Sequence, residues 1–145
     1  MARIEETVEI NRPISQVFGY TTQAANWPKW QTFITGAEQV SSGAVGVGTT
    51  FKGTNRLMGL SMKWSAQVTQ YQPNGRWGKD IRCGSIVIGE QLTFVNLGAG
   101  TRFTIVYEMK VGGLLKVFSP AVISTMRKET KKSLINLKGI IEAQD

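Results

Sequence analysis

The sequence predicts an α+β fold in which a curved antiparallel sheet is wrapped around one long C-terminal helix. Three observations lead there. A single strand-like stretch and two short helical segments open the chain. Turn residues then recur between alternating apolar and polar runs from about Phe33 to Met109. The period lengthens to that of a helix over the remaining residues. The order is β, two short helices, six strands and one helix, within a single domain spanning residues 1–145.

Each element has its own reason. In "IEETVEI", Ile4, Val8 and Ile10 alternate with Glu5, Thr7 and Glu9, the pattern of a half-buried strand. "RPISQVFGY" follows, with Pro13 suited to a first helical turn and Ile14, Val17 and Phe18 on one face. A second helical segment runs into "ANWPKW", where Pro28 should interrupt or restart it. Met58-Gly59 and Gly84-Ser85 read as two-residue hairpin loops, the second with glycine first as a type II′ turn requires. "QPNG" is a four-residue turn and "NLGAG" a longer connection. "SPAVISTMRKETKKSLINLKGIIEAQ" places Ile123, Met126, Thr130, Leu134, Leu137 and Ile141 on one stripe, with Ser119 as cap and Pro120 at the first position.

Composition limits the chemistry. There is no histidine and one cysteine, Cys83. Histidine-based triads and a zinc site are therefore excluded or disfavoured, and no cofactor or metal is expected. Acid-base work would fall to Asp, Glu, Lys, Tyr or water. "GAVGVG" runs into a strand, so it is a poor phosphate loop. "MARIEE" is charged and lacks an apolar h-region, so no signal peptide is expected, and with one cysteine a cytoplasmic location is the expectation. The formal charge is +7, and five of the basic residues lie in "RKETKKSLINLK". That stripe reads as a solvated helix face or as an attraction to an anionic membrane surface. Nucleic acid is not expected, because no aromatic residues interleave with the lysines. Oligomeric state is left open.

Hairpin register assigns side chains to faces. With Met58-Gly59 as a loop, Leu57 faces Leu60, Asn55 faces Met62, Gly53 faces Trp64 and Phe51 faces Ala66. With Gly84-Ser85 as a loop, Cys83 faces Ile86, Ile81 faces Ile88, Lys79 faces Glu90 and Trp77 faces Leu92. Four polar residues then fall on the inner rows: Asn55, Lys79, Glu90 and Tyr107. Lys79 and Glu90 should pair, either as a polar anchor or acid-base dyad inside a cavity or as an ion pair at the wet end of the sheet. Trp64, Trp77, Met62 and Phe103 on the strands and Met126 on the helix are the candidate apolar wall. Trp64 has room for its ring because Gly53 lies opposite. Cys83 reads as a small buried hydrophobe. Trp27 and Trp30 are expected to wedge the short helices against the sheet, with a mobile aromatic lip at the cavity mouth as the alternative.

The motifs "VFGYTTQAANWPKW", "GVGTTFKG", "MGLSMKWSAQVTQYQP", "GTRFT" and "LINLKGIIE" resemble the START-related, birch-pollen-allergen-like superfamily, and within it the polyketide cyclase/dehydrase and lipid-transport branch. The resemblance spans nearly the whole chain and implies a helix-grip fold with an internal cavity for a lipid, polyketide or other apolar ligand. It carries over no catalytic residue. Three functions follow as expectations: a binding protein for a hydrophobic small molecule, a cyclase- or dehydrase-type enzyme using Glu90, Tyr107 and Lys79, or an interaction module whose cavity is filled by its own side chains.

Overall fold

The computed structural model describes residues 1–144. Strand β1 (Ala2–Ile10) is followed by α1 (Ile14–Thr21), a 3-10 turn at Ala24–Asn26 and the single-turn α2 (Trp27–Trp30). Six strands follow: β2 (Ile34–Gln39), β3 (Thr50–Leu57), β4 (Leu60–Gln72), β5 (Arg76–Cys83), β6 (Ile86–Asn96) and β7 (Thr101–Val111). A 3-10 segment, Gly113–Phe118, leads into α3 (Ser119–Glu142). The seven strands form one antiparallel sheet in the order β1-β7-β6-β5-β4-β3-β2.

The predicted hairpin registers are those observed, from Leu57↔Leu60 to Phe51↔Ala66 and from Cys83↔Ile86 to Trp77↔Leu92. Met58 and Gly59 both take positive φ, 54° and 78°, the signature of a type I′ turn. In the other loop Gly84 alone does so among the two loop residues. The parity of each short turn fixes which side chains share a face, so the inner rows pack against α3. Gly53 permits one close approach. A Cβ there would lie 2.0 Å from the Gly36 carbonyl oxygen and 2.5 Å from the Trp64 ring.

Helix α3 buries Val122, Met126, Thr130, Ser133, Leu134, Leu137 and Ile141. The expected stripe holds except at its start, where Val122 is buried and Ile123 only half-buried. The helix start also differs from expectation. The 3-10 segment leads directly into α3, Phe118 takes the N-cap position, and the Ser119 hydroxyl donates back to the Lys116 carbonyl instead of capping α3. Pro120 occupies the first turn, as expected. At the far end, Glu142 accepts from the Asn11 backbone amide and from Lys138, while Arg12 donates to the carbonyls of Glu142 and Gln144. These bonds fix the end of α3 to the β1–α1 junction.

The Trp-Pro-Lys-Trp turn is a wedge and not a lip. Trp27 and Trp30 are fully buried, and Pro28 starts α2 after the 3-10 turn. The Trp27 indole nitrogen donates to the Thr21 carbonyl, and its ring packs on Phe51, Trp64 and Trp77. Trp30 meets Phe103 edge-on.

Candidate functional site

Five strands contribute to one transverse row on the inner face: Val68, Lys79, Glu90, Tyr107 and Ile4 lie side by side across β4, β5, β6, β7 and β1. Strand alternation turns all five inward, so two opposite charges and a phenol share the core side of the sheet. Lys79 and Glu90 are buried, with side chains 3% and 2% exposed, and the ammonium lies 3.2 Å from Glu90 Oε1. The pair is thus inside the fold and not at a wet rim. Lys79 Nζ also sits 3.6 Å from the centre of the Trp27 ring, a cation–π contact in a desolvated setting.

Burial pulls the Lys79 ammonium below its ordinary range, and Glu90 opposes that shift by charge and hydrogen bonding. Burial pushes the Tyr107 phenol well up, with the neighbouring Glu90 carboxylate adding to it. Tyr107 is therefore a proton-bearing hydrogen-bond donor across the physiological range. Its folded-state value lies above the ordinary 10.0, so its contribution to stability is complete below pH 10.0 and is lost as pH rises through the folded value. Tyr107→Phe is accordingly expected to flatten the alkaline fall in stability. Urea unfolding of both proteins at about pH 9 and about pH 11 checks this, and an equal fall in both would count against it.

Around the row, Asn55 Oδ1 and the Trp64 indole nitrogen are buried without a protein hydrogen-bond partner, and Glu90 Oε1 has the Lys79 ammonium at 3.2 Å. Asn55 donates its amide to Cys83 Sγ at 3.8 Å. Cys83 is buried and its thiol is pushed up by burial, the inert state expected of it. A small inner compartment of about 20 Å³ meets Asn55, Trp64, Lys79, Glu90, Tyr107 and Gln31. A second of about 20 Å³ lies beside it, walled by Met62, Cys83, Met109 and Met126, and the two share Phe33, Asn55, Ile88 and Met126. The second shares Leu57, Met62 and Ile86 with an apolar mouth of about 220 Å³, bounded on its far side by Leu115, Phe118 and Val122. The mouth thus opens between the β3–β4 hairpin and the start of α3, and the interior runs back from it to the charged row.

Of the sequence-derived candidates, Asn55, Met62, Trp64, Lys79, Glu90, Tyr107 and Met126 border this interior. Trp77 and Phe103 do not. They point inward as predicted but are fully buried in aromatic clusters, Trp77 against Trp27, Phe51 and Tyr71, and Phe103 against Trp30 and Phe94. The interior is also narrower than a ready-made ligand cavity, because Phe33 and three methionines occupy it. Sequence reasoning placed Trp27 as a wedge but missed its contact with the Lys79 ammonium, and it missed Gln31 and Phe33.

The basic face of α3 is largely neutralised. Lys131 lies 3.8 Å from Glu6, Lys132 3.4 Å from Glu129, and Lys138 2.7 Å from Glu142. Arg127 and Lys128 form no such pair among the described residues. No helix of the described residues is long and apolar enough to cross a membrane.

Solved structures share this architecture. The protein TTHA0849 from Thermus thermophilus superposes with a TM-score of 0.83 at 15% identity, covering 98% of each chain. The Zhui aromatase/cyclase from Streptomyces sp. R1128 gives 0.82 at 12% identity, covering 97% of this chain and 93% of that one. A START superfamily protein from Mycobacterium smegmatis gives 0.82 at 15% identity, covering 97% of each. At these identities the likeness establishes the helix-grip fold. No curated protein matches the chain by sequence. A family model does match, over residues 1–142, and the chain therefore belongs to the polyketide cyclase/dehydrase and lipid transport family.

Proposed function

We propose that the protein binds an apolar small molecule carrying one polar group. The apolar body lies along the passage behind the mouth, and the polar group meets Glu90, Lys79, Tyr107 and Asn55 at its inner end. The observation that carries this reading is the convergence of buried polar groups, the Lys79–Glu90 pair, Asn55 and Tyr107, on the interior that an apolar mouth leads to. Few polar groups at the end of an apolar channel orient a ligand without making the channel wet. The family supports a hydrophobic ligand in general terms.

Binding requires room, and the side chains in the way are suited to giving it. Met62, Met109 and Met126 are unbranched and pass easily between rotamers, so an entering ligand can displace them without moving the backbone. Leu57, half-buried at the hairpin end, borders both the mouth and the next compartment. Leu57→Trp is therefore expected to weaken uptake of 1-naphthol or myristate by about tenfold, on the scale of one lost apolar contact site. Fluorescence titration and native mass spectrometry measure this. Unchanged uptake in a variant of normal stability would count against the passage.

A second reading is favoured by the Lys79–Glu90–Tyr107 row itself. A carboxylate beside a proton-bearing phenol and an ammonium can move a proton next to a carbonyl and hold the resulting oxyanion. In that reading Glu90 takes the proton and Tyr107 or Lys79 stabilises the oxygen. Glu90→Gln retaining full turnover of a carbonyl substrate would remove it.

A further inference from the structure

The end of the molecule that carries the mouth gathers several exposed apolar side chains. Leu114 is 94% exposed and Val117 81%, with Phe118 beside them, all on the 3-10 segment Gly113–Phe118. Across the mouth, Met58 and Leu60 are exposed on the β3–β4 hairpin tip. That tip projects. Strand β4 pairs with β5 only from Trp64↔Cys83 onward, so Leu60–Lys63 stand beyond the β5–β6 turn. Two separate apolar protrusions therefore flank one opening.

The charge around them has one sign. No aspartate or glutamate occurs in residues 54–64, 81–89 or 109–128, the segments around this end. Arg56, Arg82, Lys110 and Lys116 lie on its exposed rim, with Arg82, Val87 and Lys110 in one cross-strand row on the outer face. None of these four cations forms an ion pair among the described residues, unlike Lys131, Lys132 and Lys138 farther along α3. Uncompensated cations behind protruding Leu, Val, Phe and Met side chains suit a surface that is anionic outside and apolar just beneath.

We propose that this end docks on the surface of an anionic lipid bilayer. Leu114, Val117, Phe118, Met58 and Leu60 enter the acyl boundary, and Arg56, Arg82, Lys110 and Lys116 lie among the headgroups. Protrusions on both sides of an opening suit a deformable phase better than a protein partner, which would need matching pockets for each. Docking places the mouth against the bilayer, so an apolar ligand would pass between membrane and interior without crossing water. The docking itself does not depend on such a ligand.

The test is co-sedimentation of the full chain with extruded vesicles of phosphatidylcholine alone or with about 30 mol% phosphatidylglycerol. Binding is expected to the anionic vesicles, to fall at least about tenfold without phosphatidylglycerol, and to weaken as salt rises from about 0.1 M to about 1 M. Leu114→Asp/Val117→Asp alters only exposed residues, and thermal unfolding shows whether its fold is kept. It is expected to lose at least about tenfold in vesicle affinity. The variant Phe118→Trp adds an independent readout, a blue shift of its emission on anionic vesicles. Equal binding to both vesicle types, full binding by the double variant, or no binding together with concentration-dependent self-association would each overturn the proposal. The last of these would identify the patch as an interface between copies of the chain.

Discussion

Replacing Glu90 by alanine is expected to destabilise the fold by about 3–5 kcal/mol, lowering Tm by roughly 10 °C or more. The reason is what the substitution leaves behind. Lys79, its side chain 3% exposed, would keep its ammonium out of solvent with only the Trp27 and Trp77 rings beside it. A lone buried cation costs far more than the pair it came from. The double variant Lys79→Met/Glu90→Leu removes both charges and keeps apolar volume, and it is expected to be as stable as the natural chain or more so, by up to about 4 kcal/mol. Urea unfolding of the three proteins decides the matter. If the double variant were as unstable as Glu90→Ala, the pair would be a net support of the fold. If it is as stable as the parent, the pair is retained for something other than stability, as a ligand anchor would be.

Trp27→Ala is expected to cost about 3–5 kcal/mol. Trp27 is fully buried, its ring touches three other aromatic rings, and its indole nitrogen satisfies the Thr21 carbonyl at the end of α1. Removing it opens a large hole and strips Lys79 of its ring at the same time. Trp27→Phe separates the two effects. It keeps a ring under the ammonium and loses the hydrogen bond, so it should recover about half or more of the loss. Denaturant midpoints for the two variants check this. A Trp27→Phe protein as unstable as Trp27→Ala would mean that the indole hydrogen bond, and not the aromatic packing, holds α2 in place.

Much of the fold is legible from the sequence because short turns are chemically explicit. Met58-Gly59 and Gly84-Ser85 fix the parity of four strands and so place Asn55, Lys79 and Glu90 on the inner face, while the apolar alternation of Phe103, Ile105 and Met109 places Tyr107 there. Parity says which face a side chain occupies but not where along the strand an opening lies. Trp77 and Phe103 therefore satisfy the pattern and still sit in solid core. The start of α3 fails for a related reason. Helical period does not reveal that a 3-10 segment precedes the helix, and that segment takes Ser119 out of its expected capping role and rotates Val122 inward. Gln31 and the contact of Trp27 with Lys79 escaped assignment because α2 is one turn long, too short to carry a periodic signal, and its position is set by packing against β2 and α3.

That same limit explains the cavity. Sequence register marks an apolar inner face, but its fullness depends on rotamers, and here Phe33, Met62, Met109 and Met126 fill most of it. The protein combines a closed interior with flexible side chains at the points that would have to open. Under the proposed function a ligand would enter by rearrangement of side chains, with the buried Lys79–Glu90 pair fixed by the sheet behind it.

On the proposed function, an apolar ligand reaches the charged row through the methionine-lined passage. Methyl NMR of the five methionines during titration with myristate or 1-naphthol tests it most directly. The ε-methyl signals of Met62, Met109 and Met126 should shift together and saturate at one ligand per chain, while Met1, exposed at the start of β1, stays in place. Shifts confined to Met58 at the hairpin tip, or no shift at saturating ligand, would contradict it.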